Sequence, residues 1–270
     1  KSTWTEYKIK RVYEDVSKLE SIFSKIFNKN IEDDFTIGIE VNNKRISTYE
    51  NYLEKLENLF SNSAVLKVTN GVFNKEKKEY RYIINGKQQS ISLDDTHIMG
   101  LSFVRSILKD KHERTLSATC GSFKFNFFIF DFDKNSPAKY ELRLEDKNLL
   151  KKHRIYLYRD SIRVYPYGDP DDDWLGIDIL RGTSRAGHFF SNDQVVGWID
   201  ISKETNPLLK DKTNREGLIE EGNATDDFTH LIQIFLIYLK QHYFDRYKTN
   251  LKDKKSIDVF KTNQLEMEFD

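Results

Sequence analysis

The chain has 270 residues, 38% hydrophobic and 32% charged, which excludes a disordered polypeptide and leaves ample material for a packed core. Its 43 basic and 43 acidic residues cancel, so net charge gives no general drive toward nucleic acid, although a local basic face stays open. One cysteine, Cys120, excludes an internal disulfide framework, fits a reducing cytoplasm and reads as a small core residue; no apolar run reaches the ~20 residues of a membrane helix. No signal-peptide pattern is legible, and a start at Lys1 without Met is expected of an excised or processed polypeptide.

Along the chain, Val12, Val16, Leu19, Phe23 and Ile26 recur at helical spacing and predict an amphipathic helix over roughly Thr5 to Phe27. Asp34 to Val41 alternates as a strand, Asn42-Asn43 makes a turn, and Ser47 or Thr48 caps a second helix through about Phe60. A meander follows: Ala64–Thr69, Gly71–Asn74, Glu79–Ile84 and Gln88–Leu93, with turns at Asn70-Gly71 and Asn85-Gly86. His97 to Leu108 reads as a short helix, and Phe123 to Phe132 as an aromatic strand buried on at least one face. A charged helix then ends near Lys152.

The hairpin Ile155–Tyr158 and Ile162–Tyr165 turns at Arg159-Asp160-Ser161. The acidic Asp169–Asp173 loop caps a helix over Trp174–Leu180, and Gly182–Gly187 is a flexible link. Gln194–Ile201 is a strand, Gly217 interrupts a helical turn, Asp226–Tyr247 is a long apolar helix, and a weakly ordered tail starts at Leu251. The fold class is α+β, mixed sheets packed with helices.

The candidate chemistry lies in Lys212, Thr213, Asn214 and Arg215. A guanidinium fork beside a mobile ammonium, carried between a strand and a helix, suits a phosphate presented by a neighbouring domain. The plain alternative is that Arg215 pairs with Glu216, Glu220 or Glu221 on a solvated surface. Asp131, Asp133 and Glu141 admit a magnesium nuclease or, more simply, a solvated turn. Arg181, Arg185 and His188 beside Phe189 and Phe190 admit nucleic-acid contact or a surface loop. The six histidines show no zinc spacing with Cys120.

Four ordered motifs carry a resemblance: Tyr158-Arg-Asp160, Arg163-Val-Tyr-Pro-Tyr-Gly168, Asp173-Trp174 and Lys212-Thr-Asn-Arg-Glu-Gly-Leu218. Together they resemble the region that follows the ATP-binding domain in bacterial GHKL-type ATPases, the superfamily of gyrase, the large heat-shock chaperones, histidine kinases and MutL. The resemblance runs from Ile155 to Leu239 and is faint before it. It implies a transducer-like core over 151–250 containing a βαβ unit, left-handed in the family. Residues 1–150 would continue from a missing ATP-binding domain, and 251–270 would be a tail. It also implies that Arg215, with Lys212 in support, senses the terminal phosphate of ATP, and that Asn214 and Thr213 line the nucleotide. ATP and Mg²⁺ would serve the longer protein, since the GHKL pocket motifs are not legible in this chain. Its expected partners are the preceding ATP domain and a second copy in a dimer. A nucleic-acid- or protein-binding module without ATP coupling is the alternative.

Overall fold

Aromatic and β-branched residues at alternate positions need a pleated surface, and here they share one sheet. The computed structural model describes residues 4–17, 40–41, 44–45, 54–183, 186–212, 217–219 and 222–253. Helix α1 (Glu6–Ser17) and the short ladder β1 (Glu40–Val41) with β2 (Lys44–Arg45) come first, then a helical segment over 54–63 that ends in a π turn. Next are β3 (Leu66–Asn74), β4 (Glu79–Ile84), β5 (Lys87–Ser92), α2 (Thr96–Met99), α3 (Ser102–Asp110) and β6 (Phe123–Ile129). The rest comprises α4 (Leu144–Leu150), β7 (Ile155–Arg159), β8 (Ile162–Arg163), α5 (Ile177–Thr183), β9 (Val195–Ile201) and α6 (Asn223–Leu239), which runs on through a second π turn, Lys240–Phe244.

The seven strands from β3 to β9 order as β5-β4-β3-β6-β9-β7-β8, so one mixed sheet draws strands from both sides of residue 150. All neighbours are antiparallel except β7 and β9, which run parallel with α5 between them in sequence. The alternation along β6 explains how both faces are used. Phe123, Phe125 and Phe127 point to one face, where Phe228 and Phe235 of α6 meet them at ring-centroid distances of 5.1 and 4.8 Å. Phe128 and Phe130 point to the other, with Phe60 stacked on Phe128 at 4.7 Å and Leu150, Tyr156, Tyr158 and Trp198 completing that layer.

Several sequence expectations need correction. Asn70-Gly71 is no turn: it is a bulge inside β3, where the register shifts against β4 and β6 at the same place. Asn70 takes φ 53°, and a Cβ on Gly71 would lie 2.3 Å from the Phe125 ring. The His97–Leu108 helix is two helices broken at Gly100–Leu101, and Arg159 ends a strand instead of forming a turn. Gly217 takes φ 96° beside an isolated bridge between Asp211 and Leu218, and the residues of the helical turn expected around it (213–216, 220–221) lie outside the described residues. The expected strand over 34–39, the first-helix residues 18–27 and the tail from 254 lie outside the described residues. Cys120 is buried, as a core residue should be, and burial with the nearby Asp227 charge pushes its thiol up to about 12.

Candidate functional site

Of the four predicted site residues, only Lys212 falls among the described ones; Thr213, Asn214 and Arg215 lie outside them. Lys212 is exposed, and its backbone N–H donates to the Gly217 carbonyl at 3.0 Å. On either side, Asp211 bridges Leu218, and the Ile219 N–H reaches the Lys210 carbonyl at 2.7 Å. Residues 210–212 and 217–219 therefore pair as a short antiparallel neck.

The other three motifs build the support for that neck. β7 is buried along its whole length and ends in Arg159, whose guanidinium forms an ion pair with Asp211 at the loop's entry. The Asp160-Ser161 turn after it takes φ 50° and 65°, the left-handed pair that a tight hairpin requires. Arg163 follows, nearly fully buried. It donates to the carbonyls of Pro166 (3.2 Å) and Tyr167 (3.0 Å) and to the Asp169 carboxylate (2.8 Å), while lying 4.8 Å from the Tyr156 ring centroid. One planar, always-charged group thus fixes the whole Pro166–Asp169 turn. Gly168 is forced by that turn: its φ is +94°, and a Cβ would meet the Tyr156 ring at 2.5 Å.

The turn presents Tyr167. Its ring stacks on Trp174 with centroids 4.6 Å apart, and its hydroxyl accepts the Leu218 N–H at 3.0 Å, at the loop's exit. Trp174 is itself held, its indole N–H donating to the Ile155 carbonyl at 2.9 Å. Asp173 caps α5 by accepting the N–H groups of Ile177 and Asp178 at 2.8 and 2.9 Å, as its place before the helix predicts. Beside it, burial together with the Asp169 and Asp173 charges pushes the Asp172 carboxyl up to about 6.

No family model, curated protein or solved structure matches the chain.

Three secondary candidates resolve differently. Asp131 is buried and accepts Lys248 on both oxygens at 3.0 and 2.9 Å, with Asp133 on the same ammonium at 3.2 Å. Among the described residues no cluster of three acidic, histidine or cysteine side chains fits a metal ion. Phe189 and Phe190 are buried in the core, which removes both rings as surfaces for base stacking; Arg181 is exposed and Arg185 lies outside the described residues. Among the described residues no helix is long and apolar enough to cross a membrane.

Sequence reasoning did not foresee a groove of about 650 Å³ on the sheet, lined by Asn70, Lys124, Asn126, Asp160, Trp198 and Asp200 among others. Burial pushes the Asp200 carboxyl up to about 6 against the pull of Lys124 and the Trp198 indole, so this group can exchange a proton near neutrality. Alternation along β9 was the available signal, since Asp200 breaks an otherwise apolar strand.

Proposed function

We propose that the chain is the coupling segment of a GHKL-type ATPase, sensing ATP bound by a preceding domain of the same polypeptide and driving domain docking or dimer closure. Arg215 contacts the terminal phosphate, and Lys212 supports it. One observation supports the reading: Arg159 pairs with Asp211 just before the fourth motif, Tyr167 bonds Leu218 at its end, and Trp174 of the third motif stacks on Tyr167. Motifs that merely coexist on a surface need no such arrangement, whereas a loop that must reach a phosphate in another domain needs rigid posts. The parallel pairing of β7 and β9, with α5 between them in sequence, is consistent with a βαβ unit of the kind this reading expects.

An exposed ammonium on the neck suits an anion presented from outside. In this reading the carboxylates and amides that hold Mg²⁺ and adenine belong to the preceding domain, and this chain contributes charge to the phosphate alone. A charge-assisted hydrogen bond contributes about 1.5–3 kcal/mol. ATP turnover by the natural-length polypeptide is therefore expected to fall about ten- to a hundredfold in Arg215→Ala. Unchanged turnover in that variant would overturn the assignment, and a salt-sensitive complex of this chain with DNA or RNA would favour the binding-module alternative.

A further inference from the structure

We propose that the groove on the sheet is a binding site for a neutral, hydroxyl-rich ligand of the saccharide class, held by Asp200, Lys124 and Asn126. The strands place these groups. Side chains alternate along β6 and β9, so Lys124 and Asn126 share a face with Phe128, and Trp198 and Asp200 lie on that same face. In register, Lys124 stands opposite Asp200 and Asn126 opposite Trp198. Opposite charges facing each other across a ladder usually close into an ion pair. Among the described residues these two form none: Lys124 is exposed and Asp200 half-buried, and both line the groove. Two backbone irregularities border it, the β3 bulge at Asn70-Gly71 and the left-handed Asp160-Ser161 turn.

The hydrogen-bonding capacity left over decides what fits. A carboxylate offers about four acceptor sites, and that of Asp200 receives only the Trp198 indole N–H. Asn126 spends its carbonyl oxygen on the Asn70 N–H at 3.0 Å, which leaves its amide N–H₂ to donate. On the turn, the Asp160 carboxylate accepts the Lys203 N–H at 3.0 Å and adds a second negative charge to the lining. An ion of either sign therefore meets a like charge: the carboxylates repel an anion, and the Lys124 ammonium repels an amine. A hydroxyl both donates and accepts, so vicinal hydroxyls can give to Asp200 while taking from Lys124 and Asn126. Val72 and Trp198 add apolar surface to the lining, suited to the C–H face of a sugar ring. The volume of about 650 Å³ falls within the span of small-molecule sites, about 300–1,000 Å³.

The test titrates the natural-length polypeptide at about pH 7 with maltose, cellobiose and diacetylchitobiose, then with inorganic phosphate and putrescine, reading heat and ligand-observed NMR. At least one disaccharide is expected to bind with a Kd of about 1 mM or tighter. Asp200→Asn and Lys124→Met are each expected to weaken it about tenfold, since each removes a charge-assisted hydrogen bond. Both variants should keep the wild-type urea midpoint or exceed it, because neither breaks an ion pair, so the lost affinity reads binding and not folding. No binding of any of the three at about 10 mM, or binding that neither substitution changes, would overturn the proposal. So would phosphate binding lost in Lys124→Met, or putrescine binding lost in Asp200→Asn, because the groove would then be selecting an ion.

Discussion

Removing the carboxylate of Asp211 tests the entry post directly. The Arg159 side chain is 6% exposed and that of Asp211 26%, so the arginine is the partner that suffers when the pair is broken. Breaking a fully buried pair costs about 3–5 kcal/mol, because it strands a charge, whereas an exposed pair contributes about 0–1. With one partner a quarter exposed, Asp211→Ala is expected to cost about 2–3 kcal/mol. Arg159→Leu removes the charge along with the need for a partner and is expected to cost about 1 kcal/mol. The double variant should then resemble Arg159→Leu alone, giving a coupling energy of about 2 kcal/mol in a double-mutant cycle. Urea unfolding at pH 7 reads this as a midpoint shift of about 0.7–1 M for Asp211→Ala, with a slope near 3 kcal/mol/M. Raising salt to 0.5 M should leave most of the coupling in place, since the buried arginine is poorly screened. A cost below about 0.5 kcal/mol, or additive single variants, would refute the claim that this pair anchors the loop.

Two further outcomes follow from buried carboxylates. Burial pushes Asp227 up, but bonds from Lys111 (2.7 Å), the Thr119 N–H (2.9 Å) and hydroxyl (2.7 Å) and Ser117 (2.9 Å) outweigh it and leave the group below its ordinary range. Its contribution is therefore present above a pH of about 4 and lost as pH falls through the lowered folded value. Asp227→Asn should cost about 3 kcal/mol at pH 7, and urea midpoints should converge with wild type in acid; a pH-independent difference would contradict the assignment. Asp200 has the opposite sign: with its carboxyl raised from 3.8 to about 6, its relative contribution is present below about pH 4 and lost as pH rises through about 6. Asp200→Asn should remove that slope and be more stable than wild type by about 1–2 kcal/mol at pH 7, and a variant less stable at pH 7 would show that Lys124 compensates the burial.

What the sequence revealed follows from how local each signal is. The strands β4, β6 and β9 were legible because alternation or aromatic density over six or seven residues suffices to mark them, and Asn85-Gly86 joins β4 to β5 with φ 48° and 82° as its dipeptide predicts. Asn70-Gly71 has the same local chemistry and also takes φ > 0 at Asn70. Its outcome differs because β3 is paired on both sides and continues past it, which no nearby residue encodes. The Leu231–Leu239 stripe was legible as core, and those residues are buried. Nothing adjacent to Asp227 marks its role, because its partners Lys111 and Thr119 lie over 100 residues upstream. The same holds for the site: each motif was visible in the sequence, but the Arg159–Asp211 contact spans 52 residues and the Tyr167–Leu218 contact 51.

Those separations bear on what the anchors can do. Closing a flexible 52-residue loop costs about (3/2)RT ln 52, or ~3.5 kcal/mol, more than one ion pair of this exposure returns. The sheet has already closed most of it, because β7 and β9 pair in register with Arg159 opposite Ile201. Only the ten residues from 202 to 211 remain, at ~2 kcal/mol, and Asn206 and Leu209, both fully buried, pin that segment in turn. The Arg159 and Tyr167 contacts are therefore spared the work of closing the chain, and their energy goes into holding Asp211 and Leu218 in place. Removing the Tyr167 hydroxyl would leave the buried Leu218 N–H without that acceptor and should cost about 1–3 kcal/mol of stability, just as removing Asp211 strands the buried Arg159.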